Sequence, residues 1–157
     1  MTKFLLTVHV LAAIIAIGPV TVAASMFPAA ARRALAEPGN DYARAVVRTL
    51  HRICRVYAAL GVAVPIFGFW TASSMDVLGD AWLIVSIAVT GIAAGVLALL
   101  VLPRQAALLA GAATPPDGAQ GLRRATGRLA MYTGVFNLLW ATVTVLMIVR
   151  PGSLTGA

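Results

Sequence analysis

The chain has 157 residues, 61% of them hydrophobic and only 11% charged, with a mean hydropathy of +0.92. One small soluble core could not bury that much apolar surface, so composition excludes a soluble domain and points to an integral membrane protein. The net charge of +7 would suit a nucleic-acid binder, but no basic face interleaved with aromatics lies outside the apolar runs, and the arginines read as topology signals. Cys54 is the only cysteine, which leaves no intramolecular disulfide and no thiolate cluster for a metal.

Four apolar runs, Phe4–Phe27, Val56–Met75, Ala81–Leu102 and Leu129–Val149, have the length of about 20 residues needed to cross a hydrocarbon layer of roughly 30 Å as helices. They predict a single all-α domain, a four-transmembrane-helix bundle with basic loops at 28–55 and 103–128. The first run, with Lys3 before it and Ala23-Ala24-Ser25 near its end, also resembles a cleavable signal peptide. Charge argues against that: the next loop carries Arg32, Arg33, Arg44, Arg48, Arg52 and Arg55, which the positive-inside rule keeps in the cytoplasm. Arg104, Arg123, Arg124 and Arg128 add to the same side, whereas the loop between the second and third spans holds only Asp76 and Asp80. Both termini are therefore expected outside.

Pro28, Pro38 and Gly39 are expected to break the chain after the first span, and Asn40 or Asp41 to cap a new helix. From there Ala43, Val46, Val47, Leu50, Cys54 and Tyr57 recur at helical spacing. Arg44, Arg48, His51, Arg52 and Arg55 share the other face, the pattern of a helix entering an anionic headgroup layer. His51 is read with that stripe, as a solvated or headgroup-facing side chain; the functional alternative is a ligand or pH sensor. In the second span Gly61, Pro65 and Gly68 make one face small and place a kink at the proline. In the third, Gly91 and Gly95 form a GxxxG that would let backbones approach closely, and Pro103 ends or kinks the helix. Thr114-Pro115-Pro116-Asp117-Gly118 reads as a flexible linker. The last span carries Thr133, Asn137, Trp140 and Thr144 along one side, and Asn137 is expected to hydrogen-bond another helix. Similar Met26-Phe27-Pro28 and Val101-Leu102-Pro103 segments suggest two similarly oriented helix hairpins.

The candidate site is His9, an ionisable ring in an apolar run, which needs an inward orientation and a partner. It lies in line with Leu5, Ala12, Ala13, Ala16 and Ala23, a small-residue stripe suited to helix packing. Counting residues from the outer end at about 1.5 Å each puts it at the depth of Ser86, Thr142, Thr144 and Phe69 or Trp70. A hydroxyl there could bond one ring nitrogen and leave the other for a metal, a haem iron or a proton. Packing glue is the alternative. Copper is poorly served, since Met26, Met75, Met131 and Met147 are all distant in sequence from His9. The spans contain no carboxylate for a proton path, and no nucleophile–base–acid constellation is present.

The segment Phe4-Leu5-Leu6-Thr7-Val8-His9-Val10-Leu11-Ala12-Ala13 resembles the first helix of a broad group of small bacterial membrane proteins. That group comprises an uncharacterised four-helix family, CopD-type copper-resistance domains and HemJ-type protoporphyrinogen oxidases. The arginine-rich first loop, Trp82-Leu83 opening the third span, and Arg123-Arg124 before a helix ending in Val149-Arg150-Pro151 are similar as well. The resemblance implies a bacterial inner-membrane location. In the HemJ-type proteins the first-helix histidine is associated with haem binding and a lysine early in the third helix with activity. His9 matches the former, but Ser86 stands where the lysine would, and Lys3 is the only lysine. The departure argues against the oxidase reaction and leaves haem b or porphyrin binding as what the resemblance implies, with His9 as ligand and Ser86, Thr144 and Trp70 around it. Two further readings stand beside it: a non-catalytic accessory subunit that uses its Gly91/Gly95 face and basic loops to dock a larger membrane complex, a second copy or anionic lipid headgroups, and a copper-related transporter.

Overall fold

In a computed structural model, which describes residues 2–111 and 118–152, the chain forms four antiparallel helical arms and, among the described residues, no strand. Residues 114–117 of the expected linker lie outside the described residues. The four helices long and apolar enough to span a membrane are Lys3–Ala36, Asp41–Ser74, Ala81–Leu109 and Gly118–Val149. Each of the four expected apolar runs falls on one of them, but the helices run well into the basic segments. Most of 28–55 is therefore helix rather than loop.

Helix α1 (Thr2–Ala36) passes straight through Pro19 and Pro28. Pro28 was expected to stop it. A proline there forfeits one backbone hydrogen bond, a loss that surrounding helices tolerate in membrane proteins, and its neighbours Phe27 and Ala24 are fully buried in the core. The chain turns instead at Pro38-Gly39, where Asn40 accepts the Ala43 amide on its side-chain oxygen at 3.0 Å and starts α2 (Asp41–Leu60). Alternation of faces then follows the sequence pattern: Ala43, Val47, Leu50 and Cys54 are buried, and the arginines face outward.

The second arm breaks where Gly61 precedes Pro65. Pro65 has no N–H to offer the Gly61 carbonyl, which accepts from Val64 N at 3.1 Å instead, and α3 (Ala63–Ser74) follows directly after this short turn. The third arm is α4 (Ala81–Gly95), a widened π-helical stretch (Val96–Val101) and α5 (Leu102–Leu109). The Leu102 amide reaches back five residues to Leu97, so the helix absorbs Pro103 by loosening rather than ending. Helix α6 (Gly118–Val149) is the fourth arm.

Two hairpins result, α1 with α2–α3 and α4–α5 with α6, joined chiefly along α1 and α6 and where α2 meets α5. The core runs along α1 through Ala16, Ile17, Val20, Ala23, Ala24 and Phe27, and Phe136 and Leu129 of α6 and Val101 close over it. The first span is thus an integral part of the bundle. The GxxxG is not. An added Cβ at Gly91 or Gly95 meets nothing within 4 Å and Gly91 is exposed, because the inward positions of α4 are Trp82, Leu83, Ser86 and Ala93.

Candidate functional sites

His9 faces inward as its helix position requires and is only 8% exposed. Its partner is not a hydroxyl. Nδ1 lies 3.0 Å from the Val64 carbonyl oxygen on α3, and because a carbonyl only accepts, Nδ1 carries the proton. The ring edge rests on Gly68, one turn further along α3: a Cβ built there would stand 2.8 Å from Cε1 and 3.1 Å from Nδ1. Imidazole, Val64 carbonyl and the missing side chain of Gly68 form one fitted contact between α1 and α3. Nε2, which in the neutral ring holds a lone pair, has no hydrogen-bond partner among the described residues.

The residues expected around His9 are placed elsewhere. Ser86 is fully buried, but its hydroxyl donates to the Trp82 carbonyl of its own helix at 2.7 Å, and α4 packs on α6 rather than on α1. Thr144 is exposed and donates to the Trp140 carbonyl, and Trp70 is 56% exposed. Residues at one depth need not share a face: α3 and α6 do pack on α1, but Trp70 and Thr144 turn outward. Asn137 does reach another helix, donating through Nδ2 to Ser25 Oγ of α1 at 3.2 Å.

A second polar site was missed. His51 is half-buried, its Nδ1 donating at 3.0 Å to Oε1 of Gln105, a fully buried residue of α5. The Gln105 amide nitrogen in turn donates to Cys54 Sγ at 3.6 Å, and the edge of Phe27 meets the imidazole with ring centroids 6.5 Å apart. His51 is therefore tied into the bundle rather than simply loose among headgroups, which corrects the reading of the stripe at this one position. Its outer side, with Arg48, Arg52, Arg55 and Leu109, lines a groove of about 440 Å³. The only ion pair among the described residues joins Arg44 to Asp41 at 2.8 Å, so Arg48, Arg52 and Arg55 have no acidic partner there. The signal that could have revealed the site was Gln105, a lone carboxamide at helical spacing from the apolar Val101 and Leu108. No three His, Cys, Asp or Glu side chains come together as a metal group among the described residues.

Four apolar arms, a histidine locked between two of them and a stripe of arginines, three of which have no acidic partner among the described residues, define a small polytopic integral membrane protein. The comparison with family models agrees. Residues 3–151 match the family described as predicted integral membrane protein (DUF2269), and the chain belongs to that family. Neither the curated proteins nor the solved structures gave a match.

Proposed function

We propose that the protein is an accessory membrane scaffold whose basic end engages the anionic headgroup layer, as part of a larger membrane assembly. The observation carrying this reading is the outward face of α2, where Arg48, Arg52 and Arg55 have no acidic partner among the described residues while the opposite face is buried. Partnerless guanidiniums at the start of an apolar span favour an anionic surface, each contributing about 1 kcal/mol near it. By the positive-inside rule that end faces the cytoplasm of a bacterial inner membrane, with both termini outside. In nanodiscs the melting temperature should rise when neutral lipid is partly replaced by phosphatidylglycerol, and the gain should shrink in high salt and in the Arg48→Gln/Arg52→Gln/Arg55→Gln variant. Equal melting temperatures in neutral and anionic nanodiscs would sink the reading.

A second reading rests on a separate observation, the proton fixed on His9 Nδ1 by the Val64 carbonyl. Such a backbone bond orients metal-ligating histidines and frees Nε2 as the donor atom. In this reading His9 would hold a haem through Nε2, and that group would supply redox chemistry at its iron. The donor chemistry fits. The exposed aromatic rings of Phe69 and Trp70 follow Gly68 directly on α3. Protein purified or reconstituted with haem b should show a Soret band that His9→Ala abolishes and His51→Ala leaves intact. A preparation that takes up no haem, or a band insensitive to His9, would remove this reading.

A further inference from the structure

The groove on α2 is more specific than a charged rim requires. Arg48, His51 or Arg52, and Arg55 stand one helical turn apart, so the guanidiniums run over about 10 Å of helix axis at 1.5 Å per residue. One phosphate is saturated by two such forks; the row extends beyond one phosphate group. His51 is not free to swing, because Gln105, fully buried, holds its Nδ1. Its ring lines the groove with the arginines and also meets Phe27 edge-to-face. Leu109 forms the other wall. Beyond Arg55 the sequence is apolar without a charge until Asp76, which puts the groove at the depth where lipid phosphates meet hydrocarbon.

We propose that Arg48, His51, Arg52 and Arg55 form a discrete binding site for a pair of phosphates carried on one anionic lipid, the diphosphatidylglycerol type. This deepens the scaffold reading above and rests on it, since both place the basic end in the headgroup layer. Phosphate oxygens accept from the arginine forks, and the imidazole, whose Nδ1–H is spent on Gln105, serves as a fixed wall that holds the shape of the site rather than as another donor. Free diphosphates share this chemistry, but the position beside an apolar wall at the start of a span assigns the lipid as source.

The test uses the full chain, delipidated in neutral detergent, with thermal shift and native mass spectrometry as readouts. Three probes are titrated at equal phosphate: diphosphatidylglycerol, phosphatidylglycerol and pyrophosphate. Diphosphatidylglycerol should half-saturate at a phosphate concentration at least tenfold below phosphatidylglycerol. Arg52→Gln should raise that concentration at least tenfold, and Arg33→Gln, which removes the same charge elsewhere, should leave it within twofold. Arg52→Lys keeps the charge without the fork and should fall between native and Arg52→Gln; it also serves if the glutamine variant does not fold. Equal response to the two lipids, or equal damage from Arg33→Gln and Arg52→Gln, overturns the discrete site while leaving the scaffold reading standing. Pyrophosphate binding more tightly than either lipid overturns the lipid as source. Indifference to all three probes, together with equal stability in neutral and anionic nanodiscs, removes both.

Discussion

Gly68→Ala is expected to cost about 2–3 kcal/mol of stability, although alanine is the better helix former by up to about 1 kcal/mol. The new methyl would stand 2.8 Å from His9 Cε1, a separation that real contacts do not tolerate. The ring cannot simply retreat. It is held by the 3.0 Å bond to the Val64 carbonyl, and moving away strands a buried N–H donor, worth about 1–3 kcal/mol when left unpaired. A double-mutant cycle isolates the contact. In a His9→Ala background the ring is gone, so adding Gly68→Ala should be neutral or mildly stabilising, giving a coupling of about 2 kcal/mol between the two positions. Unfolding in mixed micelles, followed by circular dichroism, measures all four corners. A Gly68→Ala protein as stable as the native one would show that α1 and α3 do not meet as described.

That contact also shows which parts of the molecule were legible in the sequence. The four arms were, because an apolar run of sufficient length has one stable form in lipid. The inward turn of His9 was legible too, from the small residues spaced around it. Its partner was not: a backbone carbonyl is present at every residue and leaves no compositional mark, so the reading went to Ser86, whose hydroxyl is spent on its own helix. Gly68 was noticed as part of a small face, without anything to say that an imidazole fills the space. The GxxxG motif records only that a close approach is permitted, and within the bundle no side chain or backbone comes within 4 Å of a Cβ at Gly91. At the basic end the amphipathic period of α2 predicted both faces. His51 sits at the margin between them, and the residue that decides its role, Gln105, lies 54 positions away on another helix. No local pattern links the two.

Phe27→Ala should produce the largest loss of any single truncation in the core, about 3 kcal/mol, the low end for such a change because lipid itself is apolar and part of the transfer gain is absent. Phe27 is fully buried beside Pro28, where α1 passes from the apolar run toward its arginines. It therefore does two things at once. Its bulk fills the core that α1, α2 and α6 share, and its ring meets the His51 imidazole in an edge-to-face contact. Truncation leaves a cavity next to that ring, so His51 gains freedom and the Gln105 bond loses its support. The expected result is a lowered melting temperature together with weaker binding of diphosphatidylglycerol. Phe27→Leu, which keeps most of the volume but not the ring edge, should recover more than half of the stability. If Phe27→Ala lowers stability and lipid binding is untouched, the ring edge contributes to the core alone and Gln105 suffices to hold His51. If neither changes, the packing of α1 at its basic end is other than described.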